Sequence, residues 1–403
     1  MDLEQTGDRI PQQNRVDDPG VSSEFSLVRG GPFYRAQEAT RLLTRERWNL
    51  GKRTIFAIVL AWIPLLLITL LSRPHAIGSL LTDYTINVRL FIAIPVLLAG
   101  QIIMENTFRT MVRHIREAEL LSSQEQIKMD LTISSLIRLR DSIIPEIVIV
   151  VAAYIHFLTL VGSRVGTAGA WALSDSSTFF HLSPAGAYYA LVSQVIYVFL
   201  LGISIWKWFL WICFLFRLSK LDLELVPTHP DQHGGIGFLG MSPMAIAPTV
   251  FVGTAAIGST WRTEILKHTA HLMNFKIDAI VLLVIVLIVA MAPLVFFVPR
   301  LGRLRRRGIL QYGILGQLHS VDFHKKWVLH RKGHEEEFLT APEISTLTDY
   351  AASYENVEKL QPFPLDMGAL LGLVLAIAIP MLPTVLAEIP LITVLKGLLA
   401  AVK

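Results

Sequence analysis

One cysteine in 403 residues excludes an intrachain disulfide and any Cys-rich zinc site. It sits in the apolar run Trp211-Ile212-Cys213-Phe214, which points to a buried, inert thiol. Charge is also scarce. Only 17% of residues are Asp, Glu, Lys or Arg, against about 25% in a soluble domain. The chain has no P-loop, no HExxH, no GxSxG and no repeated histidine boxes, which argues against a self-contained ATP-driven pump and against the usual hydrolases. The first 50 residues hold no apolar core, so no cleavable signal peptide is expected. No cofactor is expected either.

Apolar runs are what the chain has instead: 53% of it is hydrophobic and its mean hydropathy is +0.52. Several uncharged stretches approach the roughly 20 residues needed to cross a bilayer. The sequence therefore predicts an all-α integral membrane protein, with about 6–8 transmembrane or re-entrant helices and cytoplasmic helical extensions. Residues 1–33 read as a disordered polar tail. Leu42, Leu43 and Trp48, among arginines, suggest an interfacial amphipathic helix over 34–48. Within a transmembrane domain at 34–298, spans are expected at Thr54–Ser72, Leu90–Met104 (with Arg89 snorkelling at its edge), Ile143–Gly162, Ala187–Phe216 and Ile277–Val298. Met241–Ser259, with Pro243, Pro248, Gly253 and Gly258, reads as a broken span or re-entrant element. A polar helical hairpin is expected over 107–141. A polar helical region follows at 299–366, its second helix opened by a capping box at Thr340 and Glu343. The tail 367–403 reads as a hairpin or kinked span, with Glu388 and Pro390 at its turn and a second arm over Leu391–Val402 that contains Lys396. Small residues in its first arm (Gly368, Gly372, Ala376, Ala378) suggest close helix contacts in an oligomer.

Basic residues orient the array. The N-terminal segment through Arg53 carries nine Lys and Arg, residues 107–141 six and residues 299–366 ten, against one between Gly162 and Ala187 and three between Ser259 and Ile277. Positive loops stay cytoplasmic, so the N-terminus, the 107–141 hairpin, the loop after Phe216 and the 299–366 region are all expected inside.

That loop holds the densest motif, VPTHPDQHGGIGFLG at 226–240. Its formal GxGxxG follows an apolar helix, not a strand, which rules out a dinucleotide fingerprint. His229, Asp231 and His233 form HxDxH, a possible zinc, iron or manganese set. The reading favoured here is structural. Pro227 and Pro230 end the helical region, Gly234 and Gly235 allow positive φ, Gly237 allows close packing, and Asp231 bonds its own turn.

LDLELVPTHPDQHGGIGFLG, together with SYENVEKLQPFPLD near residue 360 and the Pro-broken tail, resembles a group of bacterial polytopic membrane proteins that carry an HPDxxGGxGFL stretch and have no assigned activity. The resemblance covers the last half of the chain. It implies a bacterial inner-membrane protein of shared architecture, and carries over no catalytic residue.

Other candidates are weaker. Glu264, His268 and His271, at i, i+4 and i+7, would share a helix face and could hold zinc or sense pH. His319, His324, His330 and His334 lie among lysines and arginines, which repel a metal. Arg303, Arg305, Arg306 and Arg307 directly follow a span and read as contacts to anionic lipid, not to nucleic acid. Ionisable residues in or near spans are costly and mark a pathway or a partner: Glu105, Glu146, His156, Lys207 and Glu388. Two functions from different classes fit these features. The first is a homo-oligomeric channel or transporter for ions or small solutes. The alternative is a membrane scaffold or sensor acting through its basic cytoplasmic helices, with a membrane-embedded metal-dependent enzyme a weaker third.

Overall fold

A computed structural model describes residues 25–44, 47–163, 171–172, 182–329 and 342–389. Tail residues 1–24, His330, His334, the capping-box residue Thr340 and the arm 391–402 with Lys396 lie outside them. Every regular element is helical, and the described residues contain no β-strand beyond one isolated bridge, Leu121 to Leu223. The main helical segments among the described residues follow in order: α1 (Pro32–Ala39), α2 (Leu50–Ser72), α3 (Tyr84–Glu117), α4 (Ser123–Arg140), α5 (Ile144–Ser163), α6 (Pro184–Leu218), α7 (Gly237–Leu266), α8 (Leu272–Val295), α9 (Val298–Phe323), α10 (Pro342–Lys359) and α11 (Met367–Val385), with a short helical stretch over Pro74–Leu81 between α2 and α3 and a π-helical stretch over His324–Leu329 after α9. Six of these (α2, α3, α6, α7, α8 and α11) are long and apolar enough to cross a membrane, and Ile144–His156 of α5 is a shorter apolar stretch. This is a multi-pass all-α membrane protein.

One expected span proves too short: the helix expected over Leu90–Met104 runs from Tyr84 to Glu117, whereas α6 keeps close to the expected Ala187–Phe216. Each contains a π-helical stretch, Val88–Ala93 in α3 and Tyr189–Ser193 in α6. The expected break at 241–259 is milder than sequence suggests. 3₁₀ turns over Gly237–Ala245, with Pro243 inside them, lead into an α-helix from Ala247, where Pro248 falls in the first turn and its missing N–H costs least. The two segments form one span.

α3 and α6 are the central pair, and their contact is aromatic. Phe108 stacks on Trp211 with ring centroids 4.2 Å apart and planes 6° apart. Trp208, Trp211 and Phe214 are fully buried, and the Trp208 indole N–H donates to the Val289 carbonyl of α8 at 3.2 Å. α11 lies against α7, where Thr384 donates to the Gly258 carbonyl at 2.8 Å. Of the small residues on its first arm, Ala376 is buried, Gly372 is half-buried, and Gly368 and Ala378 are exposed. α11 ends at Val385, and Glu388, just beyond it, accepts from Leu272 N at 2.5 Å; Pro390, the other residue expected at the turn, lies outside the described residues.

Two expectations for the N-terminal region fail. Residues 25–33 are ordered, because Phe25, Leu27 and Val28 form an apolar triplet buried against α3 and α6. The composition of the longer tail conceals this triplet. Among the described residues, the helix expected over 34–48 is confined to its first part. α1 ends at Ala39, and Arg41 turns at φ 56°. Leu43 is buried, and Trp48 packs under the guanidinium groups of Arg29 and Arg53, 5.1 and 5.6 Å from its ring centre.

Candidate functional sites

The motif loop is built around one carboxylate. Asp231 accepts from the backbone N–H of His233 (2.8 Å), Gly235 (3.1 Å) and Gly237 (2.8 Å), and His229 Nδ1 lies 2.8 Å from Oδ1. Burial pushes the Asp231 carboxyl up, but these donors outweigh it and hold the group below its ordinary value of 3.8. Gly234 and Gly235 take φ of 68° and 97°, as the turn requires. His233 turns away and donates from Nδ1 to the Gln361 carbonyl at 3.1 Å. HxDxH therefore does not close around a point. Among the described residues, no three His, Cys, Asp or Glu side chains form a metal-binding group.

The loop is a dock for the second stretch of the resemblance. Gln361 N donates to the Gln232 carbonyl at 2.8 Å, Asn356 Nδ2 to the Thr228 carbonyl at 3.3 Å, and Pro227 packs beside Gly308. Asp366 caps α11 through Ala369 N at 2.6 Å.

Glu264, His268 and His271 do not share a helix face. α7 stops at Leu266, and His268 has a left-handed φ of 55°. His271 instead faces Glu388, with Nδ1 3.4 Å from its carboxylate. The basic run after α8 is divided. Arg305 donates to the Glu358 carbonyl at 3.0 Å, Arg306 is exposed, and Arg303 and Arg307 line a cleft of about 580 Å³ with Lys220, Asp222 and Arg300. His319 falls late in α9 and His324 opens the π-helical stretch that follows it, and neither bonds to the motif loop in any described contact. His156 lies on the outward face of α5.

The remaining pathway candidates converge at the end of the bundle that carries the N-terminal segment. Glu105, 1% exposed, accepts from Ser26 Oγ at 2.7 Å and from Arg109 at 2.9 Å, with Arg29 at 3.7 Å. Glu146 accepts from Phe33 N at 3.0 Å. Asp141 accepts from Gly31 N at 3.0 Å and Arg140 Nε at 2.8 Å. Burial pushes its carboxyl up, and Arg140 with Gly31 brings it below the ordinary value. Arg140 also donates to the Ser26 and Arg29 carbonyls at 2.6 Å each. The chain from 25 to 37 is thus stitched into the bundle by the buried Glu105 and by the partly exposed Asp141, Glu146 and Arg140. Arg53 reaches it from α2, donating from Nε to Gln37 at 2.6 Å and from Nη2 to Gln101 at 2.8 Å.

A second polar group sits where the two π-helical stretches meet. Arg89, expected to snorkel outward, points into the bundle and donates to the Tyr189 hydroxyl at 3.2 Å and to Gln194 Oε1 at 3.3 Å. The π turns let α3 and α6 present these residues to each other, a feature that recurs at functional sites. Sequence reading missed Ser26, Arg53, Gln101 and Gln194. Gln101 and Glu105, one helical turn apart inside an apolar run, were the available signal.

No protein family, curated protein or solved structure matches the chain.

Proposed function

We propose that this multi-pass membrane protein moves ions or small solutes across the membrane, as a channel or carrier. One observation carries the reading: α2, α3 and α6 enclose buried polar groups towards both ends, with an apolar septum between them. Arg89 and Gln101 are twelve residues apart on α3, roughly 18 Å at the α-helical rise. Gln194 and Lys207 are thirteen apart on α6, roughly 20 Å. Leu90, Ile94, Leu97, Leu98, Tyr197 and Leu200 fill the intervening space, each at most 5% exposed. Charged groups in hydrocarbon are costly, and one at each end of a closed apolar layer suits sites facing opposite compartments.

Purified protein in liposomes tests this. Flux of a small ion or solute is expected, with Arg89→Gln slowing it at least tenfold and Leu97→Ser producing a leak. No flux of any tested ion or solute, or flux unaltered in both variants, overturns the reading.

A further inference from the structure

The cleft beside the start of α9 lies where the apolar spans give way to charge. α6 and α8 end together there. Phe216 meets Phe296 edge-on with ring centres 5.1 Å apart, and Phe216 and Val295 are exposed. The Lys220 ammonium sits over the Phe216 ring, 4.1 Å from its centre. Exposed aromatics capped by a cation mark the end of a span at headgroup depth. The cleft, about 580 Å³, opens directly beyond them. Lys220, Arg300, Arg303 and Arg307 line it, with Asp222 the one acid among the described lining residues.

These cations are not equally free to serve a ligand. Arg300 is committed, donating to Asp222 at 2.6 Å and to the Leu221 and Leu223 carbonyls. Arg303 uses only Nε, on the Pro299 carbonyl at 3.3 Å. Its two Nη groups, the Arg307 guanidinium and the Lys220 ammonium meet no acceptor among the described residues. With Asp222 and Arg300 paired, three positive charges remain on the cleft. Glu125, which accepts from Asp222 N, is itself held by Lys128 at 2.5 Å. Glu224 and Glu358, outside the lining, are outnumbered by Arg217, Arg305 and Arg306, so the sign stands. A cleft lined by one sign of charge concentrates its field on a counter-ion. The face of α9 that carries Arg303 and Arg307 continues, at steps of three or four residues, as Leu310, Ile314 and Leu318, each at least 60% exposed. Cationic groups flanked on both sides by uncovered apolar surface match a ligand with an anionic head and hydrocarbon chains.

We infer that Lys220, Arg303 and Arg307 bind the phosphate of one anionic phospholipid, whose acyl chains lie against the exposed ends of α6 and α8. The group recognised is a phosphate oxyanion, which guanidinium forks suit in shape and charge. Its place at the span ends assigns it to a lipid and not to free phosphate. The volume has room for a whole headgroup. A choline headgroup would add a cation to a cleft that already has three in excess, so a net-anionic lipid is preferred. Of the four arginines after α8, the site takes two: Arg305 is held by the Glu358 carbonyl and Arg306 lies outside the lining. The site goes beyond the transport reading and does not depend on it.

Purified full-length protein in a non-ionic detergent tests this. It is titrated with phosphatidylglycerol, with phosphatidylcholine of the same chains, and with glycerophosphoglycerol, which is the first lipid's head without its chains. Bound lipid is counted by native mass spectrometry, and stability is read by melting. One phosphatidylglycerol should bind at least tenfold tighter than phosphatidylcholine and raise the melting midpoint with the logarithm of its concentration. Arg303→Gln combined with Arg307→Gln should weaken that binding at least tenfold. Lys220→Gln, on a different element, should weaken it at least threefold, so the test stands even where the double variant fails to fold. Arg306→Gln should bind as the wild type does. Equal binding of the two lipids, wild-type binding in the cleft variants, or the same loss in Arg306→Gln overturns the site. Glycerophosphoglycerol or inorganic phosphate stabilising as strongly as the intact lipid would give the cleft to a soluble phosphate and overturn the assignment to lipid.

Discussion

Asp231 has a role out of proportion to its size. Three backbone N–H groups and one imidazole converge on its carboxylate, and each donor left unmatched costs about 1–3 kcal/mol. Asp231→Asn puts an N–H₂ where an acceptor is needed, so a loss of about 2–3 kcal/mol is expected, read as a lower melting midpoint in detergent. His229→Ala, which loses the contacts of one ring nitrogen to Asp231, and His233→Ala, which loses its bond to the Gln361 carbonyl, should each cost about 1 kcal/mol, with bound-metal content unchanged. The pH dependence has a definite sign. The folded carboxyl titrates below the unfolded one, so its stabilisation is complete above the unfolded value, near 3.8, and disappears as pH falls through the lower folded value. The wild-type advantage over Asp231→Asn should therefore hold from neutral pH down to about 4 and shrink below it. An advantage that shrank between pH 7 and 5 would place the titration on another group.

At the scale of elements, the decisive contacts join parts of the chain that the sequence keeps far apart. The backbone of Gly240 runs against residues 364–366, and an added Cβ would lie 2.8 Å from both the Pro364 carbonyl oxygen and Asp366 N. Neither can move without displacing the cap of α11. Gly240→Val should cost about 1–3 kcal/mol through overpacking and loosen the start of α11, seen as faster amide exchange over 366–372. Unchanged exchange there would mean that the junction has slack. The spans were legible because each is a long apolar run, and Asp231 was legible as a turn former from its proline and glycine neighbours. The π-helical stretches were not legible, since a π turn shifts register without changing composition. The buried end site was hidden for a related reason. Ser26, Gln37, Arg53, Gln101 and Lys207 are scattered over 182 residues, and each alone reads as an edge or surface residue. Only the docking of Phe25, Leu27 and Val28 brings that strip of chain into the bundle.

Across the whole molecule, hydrogen bonds between loops sort the chain into two ends without reference to charge. At one end Glu125 meets Asp222 N, Arg300 meets Asp222, Gln361 meets Gln232, and Arg140 meets Ser26 and Arg29. At the other, Thr85 meets Ser259, Trp171 meets Asp83, and Leu272 meets Glu388. The first end holds the three segments richest in lysine and arginine, and the second holds the poorly charged loops. Two independent sortings thus agree, one from geometry and one from charge. The positive-inside bias then predicts which end faces the cytoplasm. In a Cys213→Ser background, Gly78→Cys and Lys267→Cys should react with an impermeant maleimide in intact cells. Lys128→Cys, Arg306→Cys and Glu355→Cys should react only after permeabilisation. Gly78 is suited to this because a side chain there meets nothing within 4 Å, so labelling reports access and not strain. Labelling of Arg306→Cys from outside would invert the array, and the end site bound by the N-terminal segment would then face the exterior. A mixed pattern within one end is excluded by the loop hydrogen bonds themselves, since neither Asp222 nor Gln232 can leave its partners' side of the membrane without breaking them.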